Sequence, residues 1–240
     1  MPDIETATNT EHARRVREMF DGIAGRYDLL NHVLSLNIDK QWRRVLTKRL
    51  SGTDGGDPVL DVACGTGDLS IDLHRAGLTQ VVGLDFCRPM LVIAKSKVSE
   101  RKIKLPLIEG DALNLPFSDG SFAVVTIGFG LRNLSSVERG LQELYRVLKP
   151  GGRLAVLEFS KPGVPILSWV FRVYFSKVLP LLGGLISGSR SAYEYLPDSV
   201  RRFPDQRQLA ALMSAAGFTE VSFENLSGGI AALHFGTRAG

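Results

Sequence analysis

Cysteine and histidine are scarce in this chain of 240 residues, and neither occurs in a pattern that binds metal. Cys64 and Cys87 are the two cysteines and do not form a CxxC pair, and the four histidines are scattered without an HxxxH pair. Structural and catalytic zinc sites use such closely spaced ligands. We therefore expect no metal site.

A secretory signal and a strong charge of one sign are also missing. The first twenty residues contain four acidic side chains and no apolar core, which argues against a signal peptide. Together with free cysteines this predicts a cytoplasmic protein. The net charge of +4 is too small to indicate a nucleic-acid-binding protein. A composition of 44% apolar and 22% charged residues is typical of a packed globular chain and excludes a disordered or fibrous one.

The order of predicted elements indicates an α/β fold. An apolar run at residues 58–63 predicts the first strand. Later strands are predicted around residues 80–85, 104–108, 122–127 and 152–159, with helices around 88–99 and 136–148. Because the two types alternate, we expect a Rossmann-like parallel sheet with helices on both faces. Two further β-rich runs, at 219–225 and 230–237, predict an antiparallel C-terminal hairpin that completes a seven-stranded sheet.

Local chemistry predicts where two of the helices begin and end. A capping box places a hydroxyl or carboxylate three residues before Glu or Gln, and a glycine commonly follows the last turn. The residues that fit are Ser135, Glu138 and Gly151 for one helix, and Asp205, Gln208 and Gly217 for the other.

We expect residues 1–240 to form a single domain. Apolar residues recur near helical spacing before residue 50, and a hydrophobic insertion interrupts the expected sheet order after residue 160. The predicted parts are a helical cap at 1–50, a cofactor-binding core at 51–160, a lid insertion at 161–202, and a C-terminal helix and hairpin at 203–240.

Two glycines directly follow the first predicted strand. Gly65 and Gly67 lack the Cβ atom that would prevent a tight turn and a close approach by a ligand. The loop alone fits either a nucleotide-like ligand or an ordinary strand-to-helix turn, and further polar groups that converge on it favour the ligand. Asp85 and Asp111 end the next two predicted strands. Asp85 can accept both ribose hydroxyls of a nucleoside, and Asp111 suits an adenine amino group. We therefore predict a nucleoside cofactor.

A missing third glycine separates the candidate cofactors. Ser70 stands where the dinucleotide fingerprint has its last glycine, so NAD is the weaker interpretation. Asp61 and Asp68 flank the loop. A carboxylate there would repel a pyrophosphate and attract the cationic methionyl end of S-adenosyl-L-methionine. We therefore predict S-adenosyl-L-methionine as the cofactor.

Four groups of residues make the chain resemble a class I S-adenosylmethionine-dependent methyltransferase, and more narrowly the quinone C-methyltransferases of menaquinone and ubiquinone biosynthesis. They are residues 19–31 with 42–44, the glycine loop with Asp85 and 110–117, residues 129–133 with 148–152 and 157–160, and residues 195–200 with 203–206 and 229–234. The tyrosine-containing opening, the Gly-Leu-Arg-Asn stretch and the Tyr-Leu-Pro-Asp-Ser-Val stretch are the most specific of these.

The resemblance implies which residues contact the cofactor. These contacts are Thr66, Asp85, Asp111 and Ala112. At a further contact position, where some ubiquinone-pathway members have serine, this chain has Gly128, which favours the menaquinone branch. Asp39 stands near the tryptophan where the family often has histidine.

The implied reaction moves a methyl group from sulfur to a ring carbon of demethylmenaquinol. The carbon becomes nucleophilic when a neighbouring hydroxyl gives up or shares its proton, so the site must stabilise a phenolate. We assign Arg132 to hold that charge or polarise a water, Asn133 to orient it, and Tyr27 to hydrogen-bond the ring oxygen. A salt bridge is the alternative role for Arg132 and a core aromatic for Tyr27. His234 is a weaker candidate base, with a structural role as its alternative.

The lid insertion combines apolar and basic residues. From residue 160 to 202 there are six basic and two acidic side chains, and charged residues interrupt the apolar run, so it does not read as a membrane span. We expect a groove for a prenyl chain, or contact with anionic lipid at the inner face of the membrane. Packing against the sheet is the alternative. The sequence does not define the oligomeric state, and a homodimer stays open.

Other functions are compatible with parts of the sequence. A methyltransferase acting on a different phenolic or lipophilic acceptor, or on a benzoquinol as well, would share the same core. A regulator that binds the cofactor without catalysis is a second alternative. Nucleic-acid methylation is weaker, because an Asn-Pro-Pro-Tyr motif is absent from the sequence.

Overall fold

The computed structural model describes residues 4–28, 35, 37–52, 56–163 and 190–240, and a seven-stranded mixed sheet runs through them. Its strands are β1 Val59–Val62, β2 Val81–Asp85, β3 Leu107–Glu109, β4 Phe122–Gly128, β5 Leu148–Phe159, β6 Phe218–Leu226 and β7 Ala231–Arg238. The strand order is β3-β2-β1-β4-β5-β7-β6. The first five strands pair in parallel, and β7 runs antiparallel between β5 and β6. The predicted fold class is confirmed.

The sheet order reverses between β1 and β4, and this reversal locates the cavity. From β1 the chain moves outward to β2 and β3, and then returns to the other side of β1 to form β4. Loops leaving β1 and β4 therefore diverge at their carboxyl ends and open a crevice, which is where open α/β sheets bind ligands.

Seven α-helices are described alongside the sheet. They are α1 Ile4–Ile23, α2 Ile38–Leu50, α3 Asp68–Arg75, α4 Arg88–Glu100, α5 Val137–Val147, α6 Arg190–Arg202 and α7 Gln206–Ala215. A single 3-10 turn at Leu131–Asn133 follows β4. None of the helices described in these ranges is long and apolar enough to cross a membrane. The predicted lid lies largely outside the described residues, which omit 164–189, and so do residues 29–31 of the opening family stretch.

One predicted capping box is confirmed and the other is wrong. Asp205 caps α7, accepting from the backbone amide of Gln208 while the Gln208 side chain accepts from the amide of Asp205. At α5 the cap is Ser136, one residue later than predicted, because its hydroxyl is the one that reaches the amide of Arg139.

The two predicted terminal glycines also differ in outcome. Gly217 follows the end of α7 with φ of +102°, as expected of a residue that closes a helix. Gly151 does not close α5. The chain passes directly from α5 into β5, so Gly151 lies within the first part of that strand.

Apolar residues fill both faces of the sheet. In β1, Leu60 and Val62 belong to the core beneath α5 and α7, whereas Val59 joins the opposite core beneath α2. A parallel strand covered on both faces is apolar at almost every position for this reason. Trp42 and Leu46 recur at helical spacing and bury one face of α2 against the sheet. Each such side chain contributes about 1.5 to 3 kcal/mol of transfer free energy.

Candidate active site

A cavity of about 330 Å³ opens at the carboxyl ends of β1 to β4. Residues at or just beyond these four strand ends line it, namely Ala63, Asp85, Asp111 and Gly128. Aromatic side chains from α1, from the residues that follow it and from the turn after β2 form another part of the wall, namely Phe20, Tyr27 and Phe86. The cavity therefore joins polar strand ends to an apolar aromatic surface.

The structure brings seven of the predicted site residues to the wall of this cavity. They are Tyr27, Gly65, Asp85, Asp111, Ala112, Gly128 and Asn133. The other four lie behind the wall, where other parts of the protein contact their side chains or backbone. These four are Asp61, Thr66, Gly67 and Arg132.

Asp85 is held in place by the glycine loop. Its Oδ2 accepts from the backbone amide of Gly65 at 2.8 Å, and its Oδ1 accepts from that of Cys87 at 2.9 Å. Burial raises the pKa of Asp85, and hydrogen bonds from the backbone amides of Cys87, Gly65 and Phe86 oppose that shift. A carboxylate has about four acceptor positions, so the side chain can still accept from a ligand hydroxyl.

Asp111 is the second acid in the cavity wall. Its Oδ1 accepts from the backbone amide of Leu113 at 2.9 Å, which fixes the side chain at the start of the loop. Asp85 and Asp111 are the acidic residues that line the cavity within the described chain, and Arg139 is the basic one. The described wall therefore carries a small excess of negative charge.

Asp61 is sealed between β1 and its neighbours. It is 1% exposed, and its carboxylate accepts from Ser70 Oγ at 2.5 Å and from Thr126 Oγ1 at 2.8 Å. Burial raises its pKa to about 7. The side chain that was expected to face a cationic ligand instead contacts two hydroxyls, and it is only partly ionised at neutral pH.

Thr66 is turned towards the cap. Its hydroxyl donates to Asp28 at 2.6 Å and accepts from Lys97 Nζ at 3.0 Å. Lys97 also pairs with Asp28 at 2.5 Å and with Asp68 at 2.6 Å. The ammonium group of α4 therefore ties the glycine loop to the residue that follows Tyr27.

Arg43 extends this cluster to α2. Its guanidinium pairs with Asp39 at 2.6 Å, with Asp72 at 2.9 Å and with Asp68 at 3.5 Å. We call Arg43 and Lys97, with Asp28, Asp39, Asp68 and Asp72, the loop-side network. It combines two cations with four carboxylates, so it adds negative charge beside the glycine loop. The i, i+4 spacing of Asp39 and Arg43 was the one signal for it in the sequence.

Gly67 is required by its packing. Its φ of +82° lies in the left-handed region, and a Cβ atom there would lie 3.1 Å from the Cβ atom of Ala94. The glycine therefore lets the loop lie closely against α4. In the wall itself, a Cβ atom on Gly128 would lie 3.0 Å from Leu69 Cδ2.

Arg132 forms a buried ion pair. Its Nη1 donates to Glu158 Oε1 at 2.8 Å and also to the carbonyl oxygen of Phe129. Its guanidinium carbon lies 5.3 Å from the ring centroid of Phe159. The alternative interpretation of Arg132 as a salt-bridge residue thus describes its contacts, and we call this contact the Arg132–Glu158 pair.

Asn133 is the member of the same turn that reaches the cavity. Its Nδ2 donates to the carbonyl oxygen of Phe129 at 3.3 Å, and its Oδ1 accepts from Tyr195 Oη at 3.2 Å. Burial raises the pKa of Tyr195, so the phenol is a donor at neutral pH. Tyr195 was not among the predicted site residues, although it begins one of the family-specific stretches.

His234 lies apart from the cavity. It is 1% exposed in β7, and its Nε2 is 2.9 Å from the carbonyl oxygen of Gln206. Burial lowers its pKa, so the ring is held neutral. These contacts fit the structural interpretation of His234 better than that of a base.

Comparison with known proteins identifies the family. The profile described as the ubiE/COQ5 methyltransferase family matches residues 7–238. The chain belongs to this methyltransferase family. The methyltransferase is 52% identical to the demethylmenaquinone methyltransferase of Thermus thermophilus over 92% of this chain and 100% of that protein. It is 42% identical to the ubiquinone/menaquinone biosynthesis C-methyltransferase UbiE of Geotalea uraniireducens over 95% and 98% of the two chains.

A solved structure has the same fold. The methyltransferase superposes on a SAM-dependent methyltransferase of Thermotoga maritima, described as a possible histamine N-methyltransferase, with a TM-score of 0.64 at 20% identity. The match covers 93% of this chain and 99% of that one. The family and the class I methyltransferase fold predicted from the sequence are both confirmed.

Proposed function

We propose that this methyltransferase transfers a methyl group from S-adenosyl-L-methionine to a ring carbon of demethylmenaquinol, producing menaquinol. The observation that carries the proposal is that one cavity is lined both by acids suited to a nucleoside and by Tyr27 and Asn133, which suit a quinol. The Thermus thermophilus relative, named a demethylmenaquinone methyltransferase, supports the choice of acceptor.

The residues of the wall fit the cofactor. Asp85 would accept the two ribose hydroxyls and Asp111 the adenine amino group, with Ala112 beside it. Among the described residues, a Cβ atom on Gly65 would meet only the Tyr27 ring, at 3.9 Å, so this part of the loop leaves room for a ligand. When bound, the cofactor supplies an electrophilic methyl group on a sulfonium. The acids of the wall and the loop-side network supply the negative potential that favours this cation.

The acceptor half of the site has two tasks. It must hold the ring carbon about 3 to 3.5 Å from the methyl group, and it must stabilise the phenolate that makes the carbon nucleophilic. We assign Tyr27 to donate a hydrogen bond to the ring oxygen and Asn133 to orient it from the opposite element. Arg132 supports this half of the site from behind the wall, where its guanidinium pairs with Glu158.

Gly128 favours the bicyclic acceptor. Some ubiquinone-pathway members have serine at this position, and a serine Cβ atom here would lie 3.0 Å from Leu69 Cδ2, the end of a flexible side chain that would have to move by a few tenths of an ångström. We propose demethylmenaquinol as the main substrate. A benzoquinol is a second substrate, suggested by the name of the Geotalea uraniireducens relative. Another lipophilic phenol is the weaker alternative.

We further propose that residues 161–202 receive the prenyl tail and contact anionic lipid at the inner face of the membrane. The support is the charge of this segment, with six basic and two acidic residues from 160 to 202. Flotation with vesicles containing phosphatidylglycerol at low salt tests this. Recovery of the protein with the vesicles supports the contact, and recovery at the bottom of the gradient contradicts it.

The central test uses purified protein, methyl-labelled cofactor and chemically reduced demethylmenaquinone. We expect label in menaquinol, and slower labelling of a reduced benzoquinol analogue of the same tail length. The oxidised quinone is the control, because it lacks the hydroxyl that activates the carbon. No labelling of either quinol, together with no heat on titration of S-adenosylhomocysteine, would contradict the proposal.

A further inference from the structure

Glu158 is a buried carboxylate with no assigned role in the proposed mechanism. It lies near the end of β5 with 2% of its side chain exposed, yet both of its oxygens are occupied. Oε1 accepts from Arg132 Nη1 and from the amide of Phe159, each at 2.8 Å, and Oε2 is 3.3 Å from the amide of Arg132. The carboxylate thus contacts both the side chain and the backbone amide of Arg132, in the turn after β4.

The same turn is joined to the cavity through one carbonyl group. The carbonyl oxygen of Phe129 accepts from Arg132 Nη1 and from Asn133 Nδ2. Phe129 has a φ of +57°, a left-handed conformation that is uncommon for a bulky residue and costs of the order of 1–2 kcal/mol. Glu158 therefore fixes the side chain of Arg132, and Arg132 fixes the carbonyl group of Phe129. This carbonyl group in turn orients the side-chain amide of Asn133.

We infer that Glu158 is a positioning residue for methyl transfer, which acts through Arg132 and the Phe129 carbonyl on Asn133 in the cavity wall. The inference rests on the proposed function. In this arrangement Arg132 positions Asn133 from behind the wall, and Asn133 is the group that faces the substrate. Loss of Glu158 should then impair turnover more than cofactor binding, because most cofactor groups in the wall, namely Gly65, Asp85, Asp111 and Ala112, lie on the loop after β1, on β2 and on the loop after β3.

A purely structural ion pair is the competing explanation, and one observation argues against it. Arg132 Nε is buried and has no hydrogen-bond partner among the described residues. A buried donor left in this way costs about 1 to 3 kcal/mol. Buried ion pairs are often replaced by apolar residues without loss of stability. Stability alone therefore gives little reason to keep this arrangement.

Glu158→Gln is the decisive variant. Glutamine has one acceptor oxygen and one NH₂ group, so it cannot replace both carboxylate oxygens, whichever way it is turned. Glu224→Gln is the matched control, because Glu224 pairs with Arg49 on the exposed face of β6, away from the cavity. For Glu158→Gln we expect kcat to fall at least tenfold while KM for the cofactor stays within twofold. For Glu224→Gln we expect neither to change.

The second readout is the side-chain amide of Asn133 in a ¹H–¹⁵N spectrum, identified by its absence in Asn133→Asp. The inference requires this signal to shift in Glu158→Gln and to stay in place in Glu224→Gln. A kcat within twofold of the wild type overturns it, and so does an unmoved Asn133 signal. If the wild type methylates no quinol, the proposed function fails, and the Asn133 signal alone then decides whether Glu158 positions this amide.

Glu158→Gln leaves the Arg132 charge poorly compensated and can prevent folding. A second variant, Arg132→Met combined with Glu158→Leu, removes both charges and leaves no buried ion. We expect it to fold, to bind S-adenosylhomocysteine within threefold of the wild type, and to turn over at least tenfold more slowly. Turnover equal to the wild type would mean that the pair is structural, and would overturn the inference.

Discussion

Two groups of ion pairs border the cavity, and they differ in how they meet solvent. In the loop-side network, side-chain exposure ranges from 8% to 29%, and each cation has two or more carboxylates around it. In the Arg132–Glu158 pair the two side chains are 7% and 2% exposed. The loop-side network therefore contains several ion pairs that are partly hydrated. The Arg132–Glu158 pair is a single ion pair from which water is excluded, and we call it dry.

This difference predicts different consequences of mutation. Salt screens partly hydrated pairs less than exposed pairs and more than dry ones, and water partly compensates a charge that has lost its partner. A dry pair is expensive to assemble, and removing one partner leaves an unpaired buried charge. The loop-side network therefore joins α2, the glycine loop, α4 and the residue that follows Tyr27 through many weak contacts. The Arg132–Glu158 pair holds the turn after β4 through a few strong ones.

The largest effect is expected from Arg132→Ala. This change leaves Glu158 buried without its cation, so the free energy of unfolding should fall by about 3 to 5 kcal/mol. Turnover should fall more than tenfold, because Asn133 loses its support, while S-adenosylhomocysteine should bind nearly as before. Urea denaturation, steady-state kinetics and calorimetry measure the three quantities.

Arg49→Ala provides the control for Arg132→Ala, since it removes an arginine from an exposed ion pair with Glu224. It should cost less than about 1 kcal/mol. Turnover of Arg132→Ala equal to that of the wild type would remove Arg132 from the mechanism, and an equal stability loss in the two variants would abolish the distinction between the dry pair and an exposed one.

The second largest effect concerns Asp61, a buried carboxylate that contacts hydroxyls instead of a cation. Its pKa is about 7, above the ordinary value near 3.9. A carboxyl group with a raised pKa in the folded state contributes stability below about pH 4 that is lost as the pH rises through 7. Between pH 5 and 8 the protein should lose about 2 to 3 kcal/mol through this group.

Asp61→Asn tests this by removing the titration. The amide can accept from one hydroxyl and donate to the other, so contacts with Ser70 and Thr126 can both persist. Urea denaturation at pH 5, 6, 7 and 8 should show a flatter pH dependence than in the wild type. Parallel curves for the two proteins would show that Asp61 titrates normally. Asp119→Asn, at an exposed ion pair, should follow the wild type.

The sequence predicted best those features that depend on neighbouring residues. The parallel sheet with its terminal hairpin followed from the alternation of predicted strands and helices, and the Asp205 cap followed from spacing within one turn. Asp85 and Asp111 both line the cavity, as predicted, because residues at the carboxyl ends of parallel strands converge whatever the rest of the chain does. These are local or topological rules.

Contacts between distant residues could not be predicted in this way. Asp61 was expected to face a ligand, but its orientation depends on Thr126, which is 65 residues away on β4. Arg132 was expected to face the substrate, and Glu158, 26 residues away on the next strand, draws it behind the wall. Spacing shows which residues reach a strand end, and only packing determines which way a side chain turns there.

The smallest of these effects is expected from Lys97→Met, which breaks the loop-side network at its centre. We expect a loss of about 1 kcal/mol in stability at low salt that becomes smaller in 0.5 M NaCl, because these groups are partly hydrated. Affinity for S-adenosylhomocysteine should fall about threefold, since Thr66 and Asp28 lose their common cation. Arg88→Met, in an exposed pair with Glu109, should change stability by less than about 0.5 kcal/mol at either salt concentration. A stability loss that is independent of salt and as large as that of Arg132→Ala would contradict this prediction. It would mean that the loop-side network is as dry as the Arg132–Glu158 pair, and that the number of ion-pair partners does not affect how either group supports the cavity.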